Sequence, residues 1–537
     1  MEGSFMGKRT IAFFSVLMLG MFLTVLMVYR ISNGTELAQT AERQSDYKLT
    51  VAATRGTIYD CNLSALTGTE QKYVAAVVPG IETTAALGRI LPAARMESLY
   101  DTLSAGRPFT LQLPSKTKQE GIDVFTVQER YSNSGMAVHI LGYLDGSGKG
   151  AAGIEKAYDS LLGGNKGRIT VTYKVDALNR VLAGEEKQVS DTTALGKSGV
   201  SLTLDKYVQT VAEQAADRYL TKGAIVIMEV PTGEIRAMAS RPSYDQNDVA
   251  SVLKEKDSPL LNRAVSAYSV GSVFKLAAAA AALEYGISPD YTYTCTGGIN
   301  VDGGIFHCYN SESHGAENMK KAIANSCNTY FVSLMQQVPQ QNFLNMAHSL
   351  GFGQSFQLAP GLSSDTGVLP TLKSLSIPRA LANFSFGQGE LTATPLQVAA
   401  MTNAIASGGL FVSPNLYDGT VDEKLEYTDR AQRQQGTRVM SENTARLLRE
   451  FMQASIEGGT SKEGKPDKGG AGAKTATAQT GKYVDGTELV ESWFTGFFPY
   501  DDPRYVVTIF EEGGDGGGRT CGPAFKEIAD ELYQVIG

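Results

Sequence analysis

The stretch Ala267-Tyr268-Ser269-Val270-Gly271-Ser272-Val273-Phe274-Lys275-Leu276 runs directly into a block of alanines ending at Ala282. It sets a hydroxyl after a glycine turn, a lysine three residues on, and a small-residue helix behind both. Positions three apart share a helix face, so Ser272 and Lys275 are expected to meet there. Unpaired N–H groups and the positive end of the helix dipole would lie where an alkoxide forms. Alanine is the best helix former and lets neighbouring helices approach closely, so a buried central helix is expected, closed by Gly286. A serine made reactive in this way needs a base, a proton route and a substrate anchor from elsewhere in the chain.

The whole chain has room for these. Its 537 residues are too many for one ordinary domain, and 42% hydrophobic with 19% charged residues suits a globular protein with a sizeable core. A net charge of -8 argues against nucleic acid as a partner, since phosphate binding needs a basic face. No Walker, dinucleotide-binding or HExxH motif is present, so no cofactor is expected. His139, His307, His314 and His348 are the only histidines, which leaves a histidine-based triad poorly supplied.

Thr10 to Tyr29 is one uncharged apolar run, of the roughly 20 residues that span a bilayer as a helix. Lys8 and Arg9 precede it, which puts the N-terminus in the cytoplasm by the positive-inside rule. The exit Arg30-Ile31-Ser32-Asn33-Gly34 has no A-x-A-like cleavage site, so an uncleaved single-pass anchor is expected rather than a signal peptide. Residues 1–30 are then a cytoplasmic tip and anchor, and everything beyond lies outside the cytoplasm. Residues 31–198 are a mosaic of short β-like and turn-rich pieces, read as a pedestal. From 199 to 537 the character changes. Asp205 caps a helix, Ala224–Glu229 and Glu234–Ser240 form a hairpin across Pro231-Thr232-Gly233, and Trp493–Phe498 pairs with Tyr505–Glu511. Hairpins at both ends of a helical middle predict one antiparallel sheet assembled from both ends, an α/β (α+β) domain with helices against the sheet.

Acyl transfer without histidine needs more than one SxxK, and Ser115-Lys116-Thr117-Lys118 is another match with no apolar helix behind it. Ser326-Cys327-Asn328 supplies an SxN arrangement after the nucleophile: the hydroxyl could relay protons and the amide could hold a peptide carbonyl. Ser441-Glu442-Asn443 also fits, but its serine reads as a helix N-cap. Lys474-Thr475-Ala476-Thr477 supplies an extended segment with a cation and hydroxyls. Lys197-Ser198-Gly199 fits the K-[ST]-G form better, yet it precedes the nucleophile and feeds a strand.

With SxxK, SxN and a K-[ST]-G-like segment in this order, the sequence resembles a class B penicillin-binding protein, a membrane-anchored peptidoglycan D,D-transpeptidase. Flanking stretches share the resemblance: Thr232-Gly233-Glu234, Asn262-Arg263-Ala264, Gly387-Gln388-Gly389-Glu390, Thr394-Pro395-Leu396-Gln397 and Trp493-Phe494-Thr495-Gly496-Phe497. In the pedestal, Arg55-Gly56-Thr57-Ile58-Tyr59-Asp60 and Gly153-Ile154-Glu155 resemble the family's N-terminal boxes. The resemblance implies that Ser272 attacks the penultimate D-alanine carbonyl of a stem peptide and that Lys275 takes its proton. It further implies that Ser326 and Lys474 complete the proton route, and that Asn328, Thr475 and Thr477 bind substrate. β-Lactams would be trapped at Ser272, the pedestal would be of the class B dimerisation type, and a multi-spanning glycan polymerase of the SEDS type would be the membrane partner.

Ala476 stands where the family usually has glycine, and its methyl, on the same face as Lys474, should point toward the cleft wall. Cys61, Cys295, Cys308, Cys327 and Cys521 are too scattered for a disulfide framework. For Cys295 and Cys308 a local disulfide is favoured over two free thiols. A metal site with His307 or His314 ranks last because the spacing matches no zinc pattern well, and none is assigned. The glycine-rich stretches Ser461–Gly472 and Gly513–Gly518 read as surface loops that could rim the cleft. Two rival functions remain: a β-lactamase or β-lactam sensor of the same fold, and a catalytically silent scaffold of a wall-synthesis complex.

Overall fold

The computed structural model describes residues 3–33, 45–132, 135–484 and 486–536. Helix α1 (Gly3–Ser32) holds the N-terminal apolar run, and its side chains from Ile11 to Ile31 are exposed. The 26 residues Gly7–Ser32 are long and apolar enough to cross a membrane. At 1.5 Å per residue they reach about 39 Å, against a hydrocarbon core of about 30 Å.

The chain divides into two compact units. The smaller comprises Met1–Thr54, Gln71–Gln128 and Gly167–Ala194; the larger comprises Arg55–Glu70, Glu129–Lys166 and Leu195–Gly537. A linear division after residue 198, expected from the sequence, runs differently. The two early boxes explain why the larger unit begins at Arg55. The Glu155 carboxylate is fully buried and accepts from Arg55 Nε at 2.8 Å and Arg130 Nε at 2.7 Å, while Arg55 also reaches Asp159 at 2.7 Å. A carboxylate taken out of water must be paired. Ile58, Ile140 and Ile154 join the same core as Val200, Leu202 and the alanine helix. The boxes that resemble the family's pedestal motifs are therefore packed within the larger unit.

In the smaller unit, Asp46–Ala53, Arg168–Lys174 and Gln188–Asp191 form one antiparallel sheet around Val51, Val171 and Tyr173. A second sheet holds Glu70–Val77 between Phe109–Leu113 and Ile122–Glu129, with helix Ile81–Ile90 burying Ala86 and Leu87 in its core.

The larger unit is built on five strands: β1 (Gly223–Glu229), β2 (Ile235–Ser240), β3 (Gly472–Val484), β4 (Thr487–Phe498) and β5 (Tyr505–Glu512). Their order is β2-β1-β5-β4-β3, all antiparallel, so β5 joins the two hairpins through pairs such as Val507 with Ile227. The sheet assembled from both ends is thus observed. Its middle strands are buried on both faces, which is why they read as near-continuous apolar runs. On one side lie α2 (Lys206–Tyr219), capped by Asp205 accepting from Tyr207 N and Val208 N, and the long C-terminal helix Gly517–Ile536. The other side carries the alanine helix α3 (Lys275–Glu284), α4 (Asn328–Met335), α5 (Pro395–Ala406) and α6 (Glu442–Gly458).

The Thr394-Pro395-Leu396-Gln397 box is a capping box: Gln397 N donates to Thr394 Oγ1 and Thr394 N donates back to Gln397 Oε1. It starts α5, whose Thr402 hydroxyl continues into the sheet through Thr495 and Thr508, each step 2.7 Å.

Candidate active site

The opening stretch folds differently in one detail from the expectation. Gly271–Phe274 is a single 3-10 turn, and the α-helix begins at Lys275. Gly271 has φ +64°, which an L side chain rarely adopts, and its N–H donates to Gly387 O at 2.8 Å. A Cβ on Gly387 would lie 2.0 Å from Gly271 O, so close backbone approach explains the glycine in the Gly387–Glu390 stretch. Upstream, Tyr268–Ser269 pairs with Thr392–Ala393, and Trp493 Nε1 donates to Ser269 O at 2.8 Å. Ser272 is therefore carried on a turn clamped on both sides, half-buried, while Val273, Phe274 and Lys275 behind it are fully buried.

Lys275 Nζ donates to two carbonyl oxygens, Ser326 O and Asn328 Oδ1, each at 2.6 Å, and lies 3.2 Å from Ser326 Oγ. A neutral amine has two N–H bonds, and these two acceptors would use both, leaving the lone pair free to take a proton. Burial is the main cause holding Lys275 down, to about 8, with the Cys327 and Cys308 sulfurs opposing it.

Lys474, from β3, is also fully buried; burial first, then the neighbouring Lys275 cation, keep it well below the ordinary lysine range. Its Nζ donates to Thr475 O at 2.8 Å and to Ser326 Oγ at 3.0 Å. Ser326 thus places one hydroxyl between two buried amines. It does so from φ +56°, a left-handed conformation at the end of the short helix Met319–Ala324, just before Cys327 caps α4. Asn328 Nδ2 donates to His307 O at 2.8 Å, which fixes the orientation of the amide.

Across the site, Thr475 is buried and its hydroxyl donates to Thr460 Oγ1 at 2.9 Å, a partner no sequence signal singled out. Thr477 is half-buried beside Gly516, whose added Cβ would sit 3.1 Å from Thr477 Oγ1. A would-be Cβ on Gly517 meets Ala476 O at 2.5 Å, so the Gly513–Gly518 loop lies against this strand. Ala476 shares its face with Lys474, but its methyl is buried: the atom that a Cβ on Gly271 would bring lies 3.3 Å from it. With Ala478, whose Cβ would lie 3.0 Å from the same atom, the methyl packs against the turn that carries Ser272.

Two further features adjoin these residues, and the first had no signal in the sequence. Glu491, opposite Ala478 on β4, is raised to about 7 mainly by burial and further by Glu512, and its Oε2 is buried without a hydrogen bond. The favoured Cys295–Cys308 disulfide is absent: the sulfurs stand 3.7 Å apart, and all five cysteines are free. Those two thiols instead cluster with His314 and Cys327.

The family model described as the penicillin binding protein transpeptidase domain matches residues 223–530, more than half the chain. The chain belongs to the class B penicillin-binding proteins. Among its relatives, stage V sporulation protein D of Bacillus subtilis is 31% identical over 421 residues, which cover 74% of this chain and 62% of that protein. Penicillin-binding protein PbpB of Mycolicibacterium smegmatis is 31% identical over 432 residues, covering 75% and 64%. The chain therefore spans less than two thirds of the length of these relatives. Among solved structures, a chain from a peptidoglycan synthase complex coordinating polymerization and crosslinking is 26% identical with TM-score 0.70, covering 98% of this chain and 99% of that one. Penicillin binding protein 3 of Mycobacterium tuberculosis, complexed with aztreonam, is 25% identical with TM-score 0.65, covering 91% and 97%.

Proposed function

We propose that the chain is a membrane-anchored acyl-serine transpeptidase that cross-links peptidoglycan stem peptides ending in D-Ala-D-Ala and is acylated by β-lactams. The observation that carries this reading is the single hydroxyl of Ser326 between Lys275 Nζ and Lys474 Nζ, both fully buried, with Lys275 one turn behind Ser272. In this reading Ser272 Oγ attacks the penultimate D-alanine carbonyl while neutral Lys275 takes its proton. The backbone N–H groups of Ser272 and Thr477 receive the oxyanion, a device contributing about 3–4 kcal/mol per donor. Ser326, fed from the lysines, passes a proton to the departing D-alanine nitrogen. Asn328 orients the substrate amide. Thr477 receives the terminal carboxylate under the positive potential of Lys474, Thr475 joins it once its hydroxyl turns from Thr460, and Ala476 forms the strand wall between them. An acceptor amine from a neighbouring strand then displaces Ser272 from the acyl group.

Helix α1, with Lys8 and Arg9 ahead of its apolar run, supports a single-pass anchor with the catalytic unit outside the cytoplasm. In this reading the pedestal expected over residues 31–198 docks through its parts outside the larger unit, and the partner is a multi-spanning glycan polymerase of the SEDS type. The similarity to a chain of a peptidoglycan synthase complex supports that pairing.

Labelling with a fluorescent penicillin tests the reading. The intact chain in membranes is expected to take up the label and Ser272→Ala to take up none. Rapid release of hydrolysed penicillin, with no lasting adduct, would favour a β-lactamase instead. Full support of wall growth by Ser272→Ala would favour the silent scaffold.

A further inference from the structure

Three thiols and one imidazole converge beside the proton-relay motif. Cys295 ends the strand Tyr293–Cys295, Cys308 follows the strand Gly304–His307, His314 precedes the strand Gly315–Glu317, and Cys327 caps α4. The four donor atoms all lie within 4.8 Å of one another. Cys295 Sγ is 3.7 Å from Cys308 Sγ, Cys308 Sγ is 3.8 Å from Cys327 Sγ, and Cys295 Sγ is 3.4 Å from His314 Nδ1. With Zn–S near 2.3 Å and Zn–N near 2.0–2.1 Å, a tetrahedral zinc site has S···S edges of about 3.8 Å and S···N edges of about 3.5 Å. These three of the six edges match those values, and the other three lie within 4.8 Å.

The alternatives fit less well. A disulfide would need sulfurs about 2.05 Å apart and would leave the third thiol over. Three thiols packed only as small apolar groups would have no reason to aim a ring nitrogen at the same point. All three cysteines are buried, at 0%, 3% and 0% exposure for Cys295, Cys308 and Cys327. Groups of the kind that surround metal thiolates are also in place: Gly297 N–H donates to Cys295 Sγ at 3.4 Å, and the Thr329 hydroxyl lies 3.4 Å from Cys327 Sγ and 3.8 Å from Cys308 Sγ.

We propose that Cys295, Cys308, His314 and Cys327 hold one zinc ion in a closed tetrahedral structural site, three thiolates and one imidazole, that positions the Ser326–Asn328 motif. This replaces the expectation of no metal. Cys327 is flanked by Ser326, held at φ +56°, and by Asn328. Cys308 follows His307, whose carbonyl receives the Asn328 amide. One ion would therefore tie down both the motif and the backbone that supports it. Three sulfur ligands and one nitrogen in tetrahedral array favour zinc over hard cations, and a closed site leaves no open position for chemistry.

The test uses the full-length chain purified in detergent without chelators. Elemental analysis is expected to find about one zinc per chain, retained in Cys61→Ser and Cys521→Ser and lost in Cys308→Ser and His314→Ala. Cobalt exchanged into the site is expected to show the intense absorption of a tetrahedral thiolate complex. A folded wild-type chain without stoichiometric metal, or a Cys295–Cys308 disulfide found by peptide mapping, would overturn the site. These readouts do not depend on the proposed activity. The positioning role does rest on that activity: stripping the zinc is expected to lower penicillin labelling at least tenfold and re-adding zinc, not magnesium, to restore it. Unchanged labelling after complete metal loss would overturn the positioning role.

Discussion

At Ser326 and its two lysines, the electrostatics carry a pH signature. Burial holds Lys275 at about 8 rather than the ordinary 10.5, and in its proposed role as base it is useful only when neutral. Near pH 7 about one lysine in ten is in that form, so the acylation rate by a β-lactam is expected to rise about tenfold per pH unit up to pH 7 and to level off above pH 8–9. Stopped-flow acylation across pH 5.5–9.5 checks this; a rate that falls as pH rises would contradict the assignment of the base. Ala476 makes the opposite kind of expectation. Its methyl is buried against the Gly271 turn, so Ala476→Gly is expected to leave the acylation rate within about twofold and to cost less than about 1.5 kcal/mol of stability. A large change in acylation rate would show that the methyl reaches the substrate.

Among the elements, the turn that carries Ser272 depends on a neighbour remote in sequence. Gly387 combines φ +84° with a 2.0 Å approach of its would-be Cβ to Gly271 O. Gly387→Ala is expected to cost at least about 2 kcal/mol and to cut β-lactam acylation more than tenfold, because relief of the clash must move the turn that carries Ser272. Thermal unfolding and acylation measured on the same preparation separate the two effects; full activity with unchanged stability would contradict the clamp. The sheet and the three motifs were legible in the sequence because each is local: apolar runs, hairpin turns and short ordered spacings. The cysteine–histidine cluster was legible only in part: Cys295, Cys308 and His314 raise a metal site that ranks last on spacing, and Cys327 is missed. Its ligands are spread from residue 295 to 327 at spacings set by two small antiparallel pairs, Tyr293–Cys295 with Gly315–Glu317 and Gly298–Val301 with Gly304–His307. Nor did helical spacing distinguish a 3-10 turn at Ser272 from the α-helix that begins at Lys275, since residues three apart also align in a 3-10 turn.

Over the whole molecule, the chain leaves and re-enters its larger unit, and Glu155 shows what holds the early segments there. The carboxylate is fully buried between Arg55 and Arg130, and Tyr131 adds a hydroxyl at 3.2 Å. Glu155→Ala would remove the carboxylate that both arginines share and is expected to cost about 3–5 kcal/mol, lowering the unfolding temperature by several degrees. Calorimetry of the intact chain checks this, and an unchanged transition would mean that residues 55–70 and 129–166 are dispensable to the larger unit. The non-local pairing also explains why a linear boundary was read from the sequence: composition changes at residue 199, while the contacts cross it. The central claim, that Ser272 is the acyl carrier, has one most direct measurement: peptide mass mapping after brief exposure of the intact chain to a β-lactam. The expected result is a lasting adduct of full β-lactam mass on the peptide containing Ser272, absent in Ser272→Ala. An adduct on another residue, or one retained in Ser272→Ala, would contradict it.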